Sequence, residues 1–286
     1  MKKVFLVPNC YKQEAIDDTR ALDSWLTDQG YNVVWAPDNR LSTQLPPHID
    51  GADLVVSLGG DGTLLRAVHL VGNREIPILG LAYGHLGFLT AASPLVQDVR
   101  SVVSDALSGE MQLSRRSTLA CAAYSIDDTG TTHVTRAHAL NDMALTRGSH
   151  AEMVAFKMEV SGNYIDRLRG DGVVVSTATG STGYALSAGG PIVSPDYTGM
   201  ICVPIAPHTI QARAFITSAS DVIEIEISKD RPSIPEVAID GQFLEVPGQL
   251  ERVVVKRGDY DVCLLWYGPE SFYASISRVF YGARRG

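Results

Sequence analysis

Two hydrophobic periods alternate through the first third of the chain, and that alternation restricts its possible folds more than any other feature. Short apolar runs at Lys3–Val7, Tyr31–Ala36, Asp53–Leu58 and Ile76–Leu81 read as strands. Residues 13–29 set Ala15, Leu22, Trp25 and Leu26 at helical spacing, with Gly30 as the stop, and a short helix is expected from about Thr63. Residues 94–108 carry Leu95, Val99, Val102, Val103, Ala106 and Leu107 as one apolar stripe closed by Gly109. Strands alternating with helices imply a parallel sheet covered on its faces, with ligands at the carboxyl ends of the strands.

After about residue 111 the period changes to two. Leu119–Ile126, Val154–Val160, Gly172–Thr177, Val222–Ser228, Glu236–Val246, Glu251–Lys256 and Asp261–Trp266 read as strands. In DVIEIEIS, Ile223, Ile225 and Ile227 would face a core while Glu224 and Glu226 face water. A chain of 286 residues fits two domains. The closing stretch SFYASISRVFYG is apolar again, and nothing in it assigns it to either.

The net charge of -8 argues against a nucleic-acid or anionic-membrane surface, while leaving room for local arginines around an anionic small molecule. Cys10, Cys121, Cys202 and Cys263 form no CxxC pair and match no zinc spacing, which suits reduced thiols. The seven histidines show no ligand spacing, His85 and His208 being the least easily dismissed. The apolar run in MKKVFLVPN is too short for a signal peptide, and no window approaches the roughly 18 apolar residues of a membrane span. The expectation is a soluble cytoplasmic protein.

VVSLGGDGTLLRA, residues 55–67, places one carboxylate between glycines where a strand turns into a helix. It is neither a P-loop, since no lysine follows, nor a GxGxxG fingerprint. The physics is shared with both: glycines admit a phosphate to backbone N–H groups, and a helix N-terminus favours an anion. That terminus would also hold Asp61 ionised and make it a weak base. Residues 169–191, RGDGVVVSTATGSTGYALSAGGP, set a strand between Arg-Gly-Asp-Gly and a Ser/Thr/Gly-rich loop that suits a ribose or phosphate. Asn141-Asp142 reads as a turn or a site, and the Asp-Gly of AIDGQ at 238–242 reads as a hairpin. No Gly-x-Ser-x-Gly elbow supports serine hydrolysis.

Together these pieces resemble the NAD kinase family, over most of the chain and in order: GGDGT at 59–63, GHLGFLT at 84–90, Asn141-Asp142, RGDG at 169–172, STATGSTGYALSAGGP at 176–191, PIAPHT at 204–209 and DGQ at 240–242. GGDGT alone is shared with lipid kinases and phosphofructokinases; TGSTGYALSAGGP is far more specific. The resemblance implies a Rossmann-like N-terminal domain (1–112 and about 270–286) and a mostly-β, sandwich-like, NAD-binding domain (113–269), with NAD between them and a homodimer or homotetramer as the assembly. It implies phosphorylation of NAD at the adenosine ribose 2′-hydroxyl by ATP with Mg²⁺ or another divalent cation, no metal being fixed by protein alone. Asp61 would be the catalytic carboxylate, with Gly59, Gly60 and Gly62 against the ATP phosphates. Asp61, Gly62, Arg66, Asn141, Asp142, Arg169, Asp171, Thr182, Gly183, Tyr184, Ala185, Leu186, Ser187 and Gln242 would line the NAD site. Ala82 stands where the family commonly has asparagine, so one polar contact near the transfer region would be missing or replaced. A non-catalytic dinucleotide-binding regulator and a lipid or sphingoid kinase are the alternatives.

Overall fold

Three of the short apolar runs of the first third become strands covered on both faces, and the fourth, at 31–36, becomes a partly exposed edge strand. The computed structural model describes residues 1–37, 49–84, 87–95, 97–148, 152–228, 234–266 and 272–282. It divides the chain into two compact units, Met1–Arg116 with Asp261–Gly286, and Ser117–Tyr260.

The elements of the first unit are β1 (Lys3–Pro8), α1 (Gln13–Asp28), β2 (Asn32–Trp35), β3 (Leu54–Gly59), α2 (Asp61–Val71), β4 (Ile78–Ala82) and α3 (Val99–Ser108). The strands lie parallel in the order β2-β1-β3-β4. Leu6, Leu22, Leu26, Val56, Leu79 and Val103 close a core between sheet and helices. Helix α2 begins at Asp61, two residues before the expected start, because Gly60 supplies the extended cap. Helix α3 begins later than its apolar stripe suggests: Asp98 caps it through the N–H of Ser101, and Leu95 is left 79% exposed. Gly30 and Gly109 take the left-handed φ of helix stops, +83° and +82°.

Two antiparallel sheets build the second unit. Its elements begin with β5 (Gln112–Ile126), β6 (Thr132–Ala139), β7 (Asp142–Thr146), β8 (Val154–Val160), β9 (Asn163–Gly170) and β10 (Gly172–Ser176). A 3₁₀ turn at Thr179–Thr182, α4 (Tyr184–Ser187), β11 (Ile201–Ile205), β12 (Phe215–Ile216), β13 (Val222–Ile227), β14 (Glu236–Ile239) and β15 (Gln242–Phe243) follow. The last strand, β16 (Gln249–Trp266), changes unit at Asp261 and is followed by α5 (Phe272–Phe280). One sheet pairs β16, β13, β8 and β9; the other runs β12-β11-β10-β7-β14-β15. Phe156, Ile223, Ile225 and Val253 of the first share a core with Met143, Val173, Cys202 and Val237 of the second, and Ile227 joins them as its alternation requires.

Two expected strands, Glu251–Lys256 and Asp261–Trp266, are one. Gly258 does not break β16; a Cβ there would stand 3.1 Å from Thr118 Cβ, so the glycine makes room for the Thr118 side chain on the neighbouring strand. Conversely, Glu236–Val246 is not one strand but a hairpin through Asp240 and Gly241, whose φ of +48° and +78° fit its two-residue turn. Among the described residues no helix is long and apolar enough to cross a membrane.

Candidate active site

Strand β3 is buried along its whole length, so its carboxyl end can deliver only what the turn after it exposes. Gly60 makes that turn, its carbonyl accepting the N–H of Thr63 at 2.9 Å and of Leu64 at 3.1 Å, and Asp61 is the first residue of α2. The three glycines are not equivalent. A Cβ on Gly59 would stand 2.6 Å from Thr63 Cβ, so Gly59 is required by packing. On Gly60 or Gly62 a Cβ would meet nothing within 4 Å. The bare backbone beside open space, at a helix N-terminus, is therefore at Gly60 and Gly62.

The Asp61 side chain is half-buried, and its Oδ1 is fully buried with no hydrogen-bond partner among the described residues. Gly87 lies against it: a Cβ on Gly87 would meet both carboxylate oxygens and stand 2.6 Å from Asp61 Cγ. Burial pushes the Asp61 carboxyl above its ordinary pKa, and the N–H groups of Phe88 and Leu89 only partly offset it. This corrects the expectation of a weak base held ionised by the helix terminus: desolvation is the larger influence. The segment is braced from behind, Phe88 lying 5.8 Å from Phe280 and 6.4 Å from Phe272 of α5. His85 and Leu86 of GHLGFLT lie outside the described residues, as do His48 and His150.

The Arg66 guanidinium donates to the carbonyls of Pro8 and Pro37. Ala82 is wholly buried in β4, paired with Gly59, and its N–H donates to Ala92 O at 2.8 Å. It is a core residue of this sheet.

In the second unit Asn141 and Asp142 sit where β6 gives way to β7, Asp142 being 6% exposed. Burial, with the charge of Asp240 beside it, pushes the Asp142 carboxyl up to about 7. In RGDG both glycines serve packing: a Cβ on Gly170 would stand 2.8 Å from Ile205 O, and Gly172, at φ +150°, would bring one 2.9 Å from the carbonyl carbon of Leu145. The side chains between them are of another kind. Arg169 Nε is buried without a partner among the described residues, and Asp171 pairs with Arg147 at 3.3 Å.

The Ser/Thr/Gly-rich run is less open than a solvated loop. Ser176, Thr177 and Ser181 are buried and hydrogen-bond their own surroundings. Ala185 is fully buried among Val174, Ile201 and Val203, so its side chain packs rather than faces a ligand. Gly183, Tyr184 and Ser187 are exposed, while Thr182 and Leu186 are half-buried. Thr179 Oγ1 is buried and has no partner among the described residues, a feature that its place in a loop-like sequence conceals. Gln242 is exposed in the short strand β15. Gly87 and Asp240 lie in motifs that the sequence shows, GHLGFLT and DGQ, but received no role there, because each acts through a contact with a residue far away in the chain. Among the described residues no three His, Cys, Asp or Glu side chains converge as a metal site.

Two family models match. One described as the ATP-NAD kinase N-terminal domain covers residues 4–111, and one described as the ATP-NAD kinase C-terminal domain covers residues 140–265. The chain is 35% identical to the NAD kinase of Caldanaerobacter subterraneus subsp. tengcongensis, over 85% of this chain and 86% of that one. It is 30% identical to the NAD kinase of Lachnoclostridium phytofermentans, over 98% and 99%. Among solved structures, yeast NADH kinase complexed with NADH superposes with a TM-score of 0.84 at 24% identity, over 100% of this chain and 89% of that one. An NAD kinase from Archaeoglobus fulgidus in complex with ATP superposes with a TM-score of 0.72 at 26% identity, over 98% and 97%.

Proposed function

The chain belongs to the NAD kinase family, a family of kinases that phosphorylate NAD, and from that premise we propose that it transfers the γ-phosphoryl group of ATP to the adenosine ribose 2′-hydroxyl of NAD, giving NADP and ADP. The observation that carries this reading is the buried, unpartnered Oδ1 of Asp61 beside the bare backbone of Gly60 and Gly62. A carboxylate oxygen kept out of water, with no donor of its own among the described residues, is poised to accept one, and the 2′-hydroxyl is that donor.

Phosphoryl transfer asks the protein for positioning and charge stabilisation more than for covalent chemistry. Gly60 and Gly62 leave room for phosphate oxygens at the positive end of α2. Asp61 accepts the hydroxyl proton as the new O–P bond forms, and its raised pKa makes it a stronger acceptor than an ordinary aspartate. Mg²⁺ bound to a nucleotide keeps several of its waters and is held largely through the phosphates, so a site in which no three His, Cys, Asp or Glu side chains of the described residues converge would fit it. It supplies neutralisation of the phosphate charge. Asn141, Asp142, Arg169, Asp171, Thr182–Ser187 and Gln242 hold NAD in this reading. The domain of residues 113–269 carries that binding, and the domain of 1–112 with about 270–286 carries Asp61. A homodimer or homotetramer in the cytoplasm completes the proposal.

The test is to incubate the purified protein with ATP, Mg²⁺ and NAD and to read NADP with a strictly NADP-dependent dehydrogenase. NADP that forms with the native chain and vanishes with Asp61→Asn supports the reaction and the carboxylate. NAD that binds without NADP forming overturns it in favour of a non-catalytic binder.

A further inference from the structure

The main chain of Leu140–Asp142 is held by an unusual number of bonds. Asp240 Oδ2 accepts the N–H of Leu140 at 2.9 Å, and Asp240 Oδ1 accepts those of Asn141 at 2.7 Å and Asp142 at 3.1 Å. In return the Asp240 N–H donates to Asp142 O at 2.9 Å. The remaining carbonyls are taken by the strand end opposite. Thr177 Oγ1 donates to Leu140 O at 2.6 Å, and the Thr177 N–H and Ser176 Oγ donate to Asn141 O at 2.9 and 3.0 Å. Gly180 closes in so tightly that a Cβ there would stand 2.5 Å from the carbonyl carbon of Asn141. Every backbone polar group of the three residues is therefore committed, and what they can offer a ligand is side chains.

Charge makes Asp240 the central member of this clasp. Three N–H groups converge on one carboxylate, and hydrogen bonds to an ionised acceptor are about twice as strong as neutral ones. The geometry costs the chain something: Asp240 sits at φ +48°, a left-handed conformation that aspartate tolerates and most residues do not. We propose that Asp240 is a positioning residue for the dinucleotide, its carboxylate fixing the main chain of Leu140–Asp142 so that Asn141 and Asp142 present their side chains to NAD. This rests on the reading that those two residues hold NAD.

The same contact gives a signature that a merely structural role lacks. Asp240 is one cause of the high pKa of Asp142, after burial. Cys121 on β5 and Tyr260 on β16 also face Asp240; both are pushed above their ordinary range, by burial first and by Asp240 next. Neither is cationic, so removing the Asp240 charge lets Asp142 ionise at lower pH.

The experiment measures NAD binding by calorimetric titration, and KM for NAD and ATP separately, in the native chain, Asp240→Asn and Thr177→Val. Asn tolerates the left-handed φ but keeps one acceptor oxygen; Thr177→Val opens the clasp from the other side without touching Asp240. Both variants are expected to weaken NAD binding about tenfold or more, the scale of a lost charge-assisted or buried hydrogen bond, while KM for ATP stays within about twofold. In Asp240→Asn the pH midpoint of NAD binding moves down, and in Thr177→Val it stays. Unchanged NAD affinity in both variants, or an unmoved midpoint in Asp240→Asn, overturns the proposal, as does a parallel rise of both KM values. If Asp240→Asn fails to fold, the NAD affinity of Thr177→Val decides in either direction. A native chain that binds NAD but makes no NADP would refute the kinase reading alone, and the titrations would still judge Asp240.

Discussion

Gly87→Ala adds one methyl group at the place where the backbone lies against the Asp61 carboxylate. The new Cβ would stand 2.6 Å from Asp61 Cγ, against an ordinary carbon–carbon contact of about 3.5–4.0 Å, so something must give by about 1 Å. The strand and helix that flank Asp61 are packed into the core, which leaves the carboxylate and the loop at 87–89 to move. A misplacement of about 1 Å at a reacting group is worth on the order of a hundredfold in rate. Overpacking costs about 1–3 kcal/mol of stability, so the variant still folds. Initial rates of NADP formation at saturating ATP and NAD should therefore fall roughly a hundredfold. The double variant Asp61→Asn/Gly87→Ala should be no slower than Asp61→Asn, because both changes act through one carboxylate. Turnover of Gly87→Ala within about threefold of native, or additive losses in the double variant, would show that the contact does not govern catalysis.

Asp61→Asn should lower kcat by about 10²–10⁴-fold with a melting temperature at or above native, since the removed charge is costly to bury rather than stabilising. Gly62→Ala should melt as the native chain does yet bind ATP more weakly, because its Cβ meets only the space where phosphates would lie; Gly59→Ala should lose stability through the Thr63 clash, and equal melting of the two would refute the distinction. The acid limb of kcat should lie above the ordinary carboxylate range, because Asp61 must be ionised to accept a proton and burial raises its pKa; a limb at or below about pH 4 contradicts this. Asp142, with a folded pKa of about 7, destabilises the ligand-free protein once it ionises. That penalty is absent below its unfolded pKa, grows as pH rises toward 7 and is level above. Thermal melts should therefore show Asp142→Asn gaining more at pH 8 than at pH 5, by more than about 1.4 kcal/mol, one pKa unit.

The first unit was legible because its inner strands are buried on both faces and its helices on one, which leaves clean periods in the sequence. The misplaced start of α3 shows the limit: Leu95 continues the apolar stripe but lies outside the helix, since the cap at Asp98 decides where the helix begins. Strands β6 and β9 escaped notice because their outer faces are polar or wet; Val134, Tyr164 and Ile165 are all exposed. Asp61 and Asn141-Asp142 stood out by local pattern. Gly87 and Asp240 could not, because what each touches is set by sheet pairing across 26 or roughly 100 residues rather than by neighbours in sequence. Gly60 and Gly59 look alike as letters; only the Thr63 side chain tells one from the other.

The discontinuous first unit imposes an order on synthesis. Strand β4 leaves the ribosome with one edge claimed by β3 and the Gly80–Ala82 end of the other soon bonded to Ala91 and Ala92, but the partner of Ile78 on that edge, Leu264, is translated roughly 180 residues later. At about 5–20 residues per second, that end waits about 10–40 s while the whole of Ser117–Tyr260 is made. The nascent chain thus carries the open Ile78 end of β4 through most of its own translation, and the burden of shielding it falls on whatever meets the chain at the exit tunnel.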